Sequence, residues 1–291
     1  MAHNTSERIQ RLIILTFLFF SVPLLCAEEQ TLYDIPPDIM IPGISGGEPA
    51  AGKRVCCTAA GWENTAVYHT LFLPKDWNAG GKSPVIVEYA GNGNYKNGRD
   101  ISTGKVEDCV LGFGLSEGKA IWVCLPFIEN KDGQKQNSIT WWGDVNETKR
   151  YCIAAVNDVC GRFGGDSNKV ILAGFSRGAI ACGFIGLNDD EIAALWSGFF
   201  CHSHFDGVRK WNYPASDRAA ALVRLKRIGK RPVWVSQEKT VDDVKVYLPS
   251  TGLSVNAVLE VLPYSNHTAE WILRDIPLRR KAREWYNGTF R

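Results

Sequence analysis

The sequence predicts an α/β protein with a mostly parallel central sheet and helices on both faces. From Val67 onward, strand signals and helix signals alternate along the chain, as they do in sheets built through helical crossovers. Over 169–187 a strand signal, a glycine-bounded turn and a helix signal follow one another directly. A chain of 291 residues with 45% hydrophobic residues is also long enough to bury one sizeable core.

Strands in the first half of this region are predicted from short apolar, β-branched runs that end at turn residues. These runs are Val67–Pro74, Pro84–Tyr89 and Ala120–Pro126. A short helix is predicted over 106–117, and the amphipathic pattern of 147–163 predicts a longer one. Helices between such strands fit the crossovers of a parallel sheet.

The turn that interrupts this pattern is the motif G-F-S-R-G at 174–178. It lies between a predicted strand, Lys169–Ala173, and a predicted helix, Ala179–Leu187. The two glycines let the backbone turn sharply from strand to helix without a Cβ clash. Such a turn lifts the serine Oγ above the sheet edge, so the motif indicates that Ser176 is a nucleophile.

A histidine after the last predicted strand supplies the matching base. Later strands are predicted over Ala193–Phe200, Arg231–Ser236 and Ala257–Leu262, followed by a basic helix near 278–286. His267 lies in the loop just past the last of these strands. From there an imidazole can reach the serine across the sheet edge, take its proton and return it to the leaving group.

With this turn and His267, the chain resembles the α/β-hydrolase superfamily, and within it the branch of secreted esterases and depolymerases. The resemblance covers about 66–286 and implies a Ser–His–acid triad and an oxyanion hole made of backbone N–H groups. The oxyanion loop of the family usually carries His-Gly, whereas this chain has Y-A-G-N-G at 89–93. The resemblance then assigns the oxyanion hole to the N–H groups of Asn92 and Arg177.

The acid of the triad is ambiguous in the sequence. The resemblance implies an aspartate about three residues past a glycine after the strand 231–236, but that place holds Thr240. Glu238, at the end of the strand, is the first candidate. Asp242, in the first turn of the next helix, and Asp206, after the preceding strand, are the alternatives. A carboxylate in a first helical turn is also explained by the helix dipole alone.

Two further pairs of residues bear on the site. Trp141 and Trp142 follow a strand whose carboxyl end faces the predicted active site, where exposed tryptophans can bind a ring-shaped substrate. His202 and His204 have the alternating spacing of metal ligands on one strand face, but no third or fourth ligand is evident nearby. We therefore expect the tryptophans to line the substrate site, and we expect neither a metal nor another cofactor.

The N-terminal residues differ from the rest of the chain. Arg8 and Arg11 precede an apolar run over 12–25, and Ala27 then meets two glutamates. The charge, length and boundary of this segment are typical of a cleaved secretory signal, and the run is short for a membrane span. The chain is therefore expected to be secreted or periplasmic, and a lipid anchor at Cys26 is a less favoured alternative.

The whole sequence is thus divided into a signal peptide (1–27), an N-terminal arm or linker (28–65) and a catalytic domain (66–291). A net charge of +2 gives no footprint for nucleic acid or for an anionic membrane, so the expected partner is a small-molecule or polymer-linked ester. The predicted function is a secreted serine esterase that works through an acyl-enzyme. A serine peptidase of the prolyl-oligopeptidase type and an inactive hydrolase-fold binding module are the alternatives.

Overall fold

An eight-stranded β-sheet forms the centre of the computed structural model, which describes residues 30–93, 95–96 and 101–289. In chain order the strands are β1 (Arg54–Cys57), β2 (His69–Phe72), β3 (Ser83–Tyr89), β4 (Tyr95–Lys96), β5 (Ile101–Ser102), β6 (Ile121–Leu125), β7 (Phe127–Lys131), β8 (Gln134–Ser138), β9 (Gly165–Phe175), β10 (Gly198–His202), β11 (Pro232–Glu238) and β12 (Asn256–Leu262). The order across the large sheet is β1-β2-β6-β3-β9-β10-β11-β12. The pairs β4-β5 and β7-β8 form two small separate sheets.

Six neighbouring strands of the large sheet, from β6 to β12, are parallel to one another, and its two antiparallel pairs are β1-β2 and β2-β6. The expectation of a mostly parallel sheet is therefore confirmed. Parallel strands bring their carboxyl ends to one edge, which is where loops can converge on a site. The first strand, β1, lies inside the segment 28–65 that the sequence suggested to be an arm, so the sheet begins within that segment.

Helices cover both faces of this sheet. They are α1 (Leu111–Ser116), α2 (Val145–Arg162), α3 (Arg177–Phe184), α4 (Asp190–Ala193), α5 (Arg218–Leu225), α6 (Asp242–Ser250) and α7 (Pro277–Thr289). Val85 and Val87 face a core shared with α2, α3, α5 and α6, whereas Ile86 between them faces a second core shared with α1 and α7. This alternation is the period of two expected for a strand that is buried on both faces.

A carboxylate in the second core joins α1 to the sheet. Glu88 of β3 is 1% exposed, and both of its oxygens accept hydrogen bonds. Its donors are the backbone N–H groups of Val110, Leu111 and Gly112, at 2.9–3.1 Å, and the indole N–H of Trp122, at 2.8 Å. The side chain therefore satisfies N–H groups at the start of α1 that have no partner within the helix.

The residues ahead of β1 pack against the end of the chain. The backbone N–H of Leu32 donates to Asn266 Oδ1 at 2.8 Å, and the N–H of Asp38 donates to the carbonyl of Leu273 at 3.1 Å. Arg279 of α7 also forms an ion pair with the carboxylate of Asp38. The first contact joins the N-terminal segment to the loop that carries His267, and the others join it to the residues that follow this loop and to α7.

One predicted strand was wrong in its position. The apolar run 193–200 was expected to be a strand, but Ala193 ends α4 and the strand begins only at Gly198. The side chain of Asp189 accepts the N–H of Ile192 at 3.1 Å and so starts a helical turn, and Trp196 donates its indole N–H to Gly186 at 2.8 Å. Helix capping and one buried tryptophan therefore override the strand pattern of the sequence.

The predicted signal peptide, 1–27, lies outside the described residues. Within the described ranges, no helix has both the length and the apolar character that a membrane span needs.

Replacing Glu88 by glutamine should lower the free energy of unfolding by about 2 kcal/mol, because the amide N–H₂ group then faces donors in place of an acceptor oxygen. Urea unfolding followed by circular dichroism measures this change. Glu260→Gln is the matched control: its carboxylate pairs with Lys281 near the surface, where an ion pair contributes about 0–1 kcal/mol. Equal decreases in the free energy of unfolding of the two variants would contradict the capping role of Glu88.

Candidate active site

Ser176 occupies a strained turn between β9 and α3. Its φ is +54° and its ψ is −122°, a region that residues with a side chain rarely adopt. A Cβ on Gly174 would overlap the carbonyl of Gly178, and a Cβ on Gly178 would overlap the carbonyl of Tyr89 at the end of β3. Only glycine fits at these two positions, so the motif enforces the sharp turn that presents Ser176.

Three side chains form a continuous hydrogen-bonded chain at the carboxyl edge of the sheet. Ser176 Oγ lies 2.9 Å from His267 Nε2, and His267 Nδ1 lies 2.9 Å from Glu238 Oε1. A carboxylate can only accept, so Nδ1 carries the proton and donates it to Glu238. Nε2 is then the acceptor for the hydroxyl proton of Ser176. The arrangement allows the imidazole to act as a general base on the serine.

The environment of Glu238 keeps it ionised. Burial raises the pKa of its carboxyl, but the hydrogen bond from His267 and the neighbouring His202 and His267 rings outweigh burial and lower the pKa to about 2. At neutral pH the group is a carboxylate that can stabilise an imidazolium.

The structure places the other two candidate acids in different contacts. Asp206 is buried and accepts two hydrogen bonds from Arg224, at 2.8 and 3.1 Å. Asp242 is exposed in the first turn of α6 and pairs with Lys245 at 3.4 Å. Both are accounted for by these local roles, whereas Glu238 is the carboxylate that lies against His267.

Asn92 and Arg177, which the sequence suggested for the oxyanion hole, are brought together from different parts of the chain. The carbonyl oxygen of Asn92 accepts a hydrogen bond from Arg177 Nη1 at 2.7 Å, and the side-chain amide of Asn92 donates to the carbonyl of Trp141. Arg177 is the first residue of α3, where backbone N–H groups have no partner within the helix. The loop after β3 is thus tied to the residue that follows Ser176.

The two tryptophans differ in their surroundings. Trp142 is 4% exposed and stacks on Phe184 with ring centroids 5.0 Å apart, so its ring belongs to the core. Trp141 is half-buried, and the guanidinium of Arg177 lies 3.7 Å from the centroid of its ring. Its ring also contacts that of Tyr213 at 5.2 Å. Of the two, Trp141 is the one placed beside the turn that carries Ser176.

Sequence reasoning missed the residues at the end of β10. Ser203 Oγ lies 3.0 Å from His267 Nδ1, and its φ of +80° is unusual for a residue with a side chain. His202 Nδ1 lies 2.9 Å from Ser236 Oγ. The alternating histidines drew attention to this stretch, but no pattern in the sequence singled out either serine.

One set of residues could hold a metal by distance alone, within the part of the chain that the structure describes. Ligand atoms of Glu88, Cys109 and Cys124 lie within 4.8 Å of one another. However, the oxygens of Glu88 are already used by four N–H donors, and the guanidinium of Arg54 donates to Cys124 Sγ at 3.8 Å. The oxygens of Glu88 are therefore better explained as a cap for the start of α1 than as ligands of a cation.

One cavity borders His267 and Glu238, and a second lies beside residues that are adjacent to the site residues in sequence. One, of about 210 Å³, is lined by Glu238 and His267 together with polar side chains from the loop after β10 and from α6. A second, of about 390 Å³, is lined by Gly91, Phe175 and Thr268, which are neighbours of the site residues along the chain. Neither Ser176 nor Asn92 is among the residues that line these two cavities.

No protein-family model and no curated protein sequence matches the chain significantly. Solved structures do resemble it. Esterase Est22, whose structure is solved, shares 14% sequence identity with this protein. The match covers 81% of this chain and 80% of the Est22 chain, with a TM-score of 0.52. A fungal esterase from Rhizomucor miehei is 13% identical over 83% and 84% of the two chains, with a TM-score of 0.53.

A putative dipeptidyl aminopeptidase IV from Bacteroides ovatus is also similar. It is 12% identical, with a TM-score of 0.55, over 81% of this chain but only 35% of that chain. At such identities the likeness concerns the fold. Together with the mostly parallel sheet and its covering helices, it shows that the protein has the α/β-hydrolase fold.

Proposed function

We propose that the protein is a serine hydrolase that cleaves carboxylic esters through an acyl-enzyme. The observation that carries this proposal is the unbroken chain from Ser176 Oγ through His267 to Glu238, with both contacts at 2.9 Å. The strained turn at Ser176 supports it, because strain of this kind persists where it presents a reactive group.

In the proposed reaction, His267 Nε2 takes the proton of Ser176 as its Oγ attacks the ester carbonyl. Glu238 keeps the Nδ1 proton in place and stabilises the imidazolium that forms. The backbone N–H groups of Asn92 and Arg177 receive the oxyanion of the tetrahedral intermediate. The imidazolium then protonates the leaving alcohol, and a water molecule, activated by the same histidine, releases the acid and restores Ser176.

Three roles are available to a chain with this fold, and two observations favour the esterase. The two esterases described above are covered over 80% and 84% of their length, whereas the peptidase is covered over only 35%. Glu238 lies within hydrogen-bond distance of the imidazole, which supports an active triad over an inactive binding module.

Export remains part of the proposal. The Arg-flanked apolar run over 12–25 supports a cleaved signal peptide and a secreted or periplasmic protein.

Treating the purified protein with a fluorophosphonate probe should label Ser176, because His267 activates its hydroxyl. Ser176→Ala should abolish labelling and lower kcat for an aryl ester by roughly 10⁴- to 10⁶-fold. Labelled peptides identified by mass spectrometry give the site. Ser250→Ala, at the end of α6, is the control and should behave like the wild type. Labelling that survives Ser176→Ala would refute the proposed nucleophile.

Glu238→Gln should lower kcat by about 10⁴-fold, because the amide no longer fixes the imidazole tautomer or stabilises the imidazolium. Asp242→Asn and Asp206→Asn are the matched comparisons. The first should leave kcat unchanged, and the second should chiefly destabilise the fold, since it breaks the buried pair with Arg224. Steady-state kinetics on each folded variant measures the difference. A greater loss of kcat in either aspartate variant would assign the acid differently.

The preference for esters over amides should appear directly in kcat/KM. We expect clear turnover of aryl esters and little turnover of matched peptide anilides, because a poor leaving amine demands closer control of proton delivery and substrate position. Both substrates release a coloured product, so one spectrophotometric assay compares them. Comparable or higher kcat/KM on the anilides would favour the peptidase alternative.

A further inference from the structure

His202 lies directly behind the carboxylate of Glu238 and is fully buried. Its ring stacks on Phe175, the residue before Ser176, with centroids 5.7 Å apart, and it contacts the ring of Trp271 at 5.1 Å. The parallel pairing of the strands sets this position. His202 is paired with Phe175 on β9 and with Ser236 on β11, so it lies between the turn and the strand that carries the acid.

The hydrogen bonds around His202 decide which ring nitrogen carries its proton. Ser236 Oγ accepts the indole N–H of Trp234 at 3.1 Å and lies 2.9 Å from His202 Nδ1. An indole can only donate, so among the described contacts of this hydroxyl the acceptor for its own proton is Nδ1. Nδ1 of His202 is therefore an acceptor, and the proton of the neutral ring is on Nε2.

The Nε2–H group of His202 faces Glu238. Nε2 is buried and lies 3.8 Å from Glu238 Oε1, the same oxygen that accepts from His267, and the backbone of Thr268 is another polar group that acts on this ring. This separation is longer than a hydrogen bond, but a movement of the carboxylate by less than about 1 Å closes it. A hydrogen bond to a carboxylate is stronger than one to a neutral backbone group, so Glu238 is the acceptor that this N–H group favours.

The imidazole ring of His202 is neutral while its N–H group faces Glu238. Burial is the main cause that lowers the pKa of His202 to about 4, although Glu238 acts in the opposite sense. The charged and titratable groups that face it are Glu238 of β11, His267 of the following loop and His204 on its own segment. A neutral donor can orient the carboxylate without competing with the imidazolium for its charge.

We propose that His202 is a positioning residue that holds the carboxylate of Glu238 in the orientation that His267 needs. The inference rests on the proposed function, and it extends the triad backward through the chain Trp234–Ser236–His202–Glu238. It also gives His202 a role other than that of a metal ligand, since Nδ1 is engaged by Ser236 and Nε2 faces the acid.

The test compares two buried histidines of the same sheet. His202→Phe retains a ring between Phe175 and Trp271 but removes the donor to Glu238. His69→Phe is the matched control, because His69 is also buried, its Nδ1 lies 2.8 Å from the hydroxyl of Tyr151, and burial lowers its pKa to about 4. Both variants should lose stability.

Only His202→Phe should lower kcat for an aryl ester, on the order of 10- to 100-fold with KM unchanged, the range that one hydrogen bond to a charged group supports. His69→Phe should keep its kcat within about twofold. An equal fall in kcat in both variants, or no fall in His202→Phe, would overturn the proposal.

A double-mutant cycle separates positioning from a merely structural role. The rate of phosphonylation of Ser176 by a fluorophosphonate stays measurable in slow variants, so it is the readout. If His202 acts through Glu238, His202→Phe should have no further effect in the Glu238→Gln background, because the charge that it orients is gone. If the two substitutions together lower the phosphonylation rate by the product of their separate factors, His202 does not act through Glu238.

Ser236→Ala provides the second variant if His202→Phe fails to fold. It leaves the ring in place but removes the hydroxyl that fixes its tautomer, so a smaller loss of rate is expected, again absent in the Glu238→Gln background. An undiminished rate in Ser236→Ala would contradict the assigned tautomer. Failure of the proposed function has a different signature, since the wild type itself would then neither hydrolyse aryl esters nor react at Ser176.

Discussion

The close approach of three backbone segments around Gly174 and Gly178 is the constraint on which the site depends. No Cβ fits at either glycine, because the carbonyl groups of Gly178 and Tyr89 occupy that space. The end of β3, the turn and the start of α3 are therefore packed against each other by backbone alone. This contact forces the positive φ of Ser176 and sets the loop of Asn92 beside Arg177. The other groups of the site are arranged around this fixed point.

Strand register explains why the remaining groups meet. Phe175, His202 and Ser236 occupy one row across three parallel strands, so the end of β10 lies between the turn of Ser176 and the strand that carries Glu238. Two residues beyond Ser236, Glu238 reaches the loop after β12 and meets His267. The polar network behind Glu238 is thus a consequence of which strands are neighbours. It needs no motif in any one segment of the chain.

Strand register also explains which parts of the fold and of the site could be predicted from the sequence and which could not. The fold class and the positions of Ser176 and His267 follow from local patterns, namely a glycine-bounded turn and a histidine after the last strand. The choice among Glu238, Asp242 and Asp206 depends on which strand end faces which loop, and pairing between distant strands leaves no local signal. The burial of Trp142 was hidden for a similar reason, because its partner Phe184 comes from α3.

The contact between Leu32 and Asn266 joins residues 234 positions apart, and the ion pair of Asp38 with Arg279 joins residues 241 apart. Contacts of such sequence separation form slowly, because closing so long a loop costs conformational entropy before the contact can offset it. During synthesis, the segment around Leu32 emerges first and has no partner until the loop of His267 has been made. We therefore expect this loop to be fixed among the last parts of the fold, so that the turn of Ser176 is complete in the chain well before His267, its proposed base, is in place.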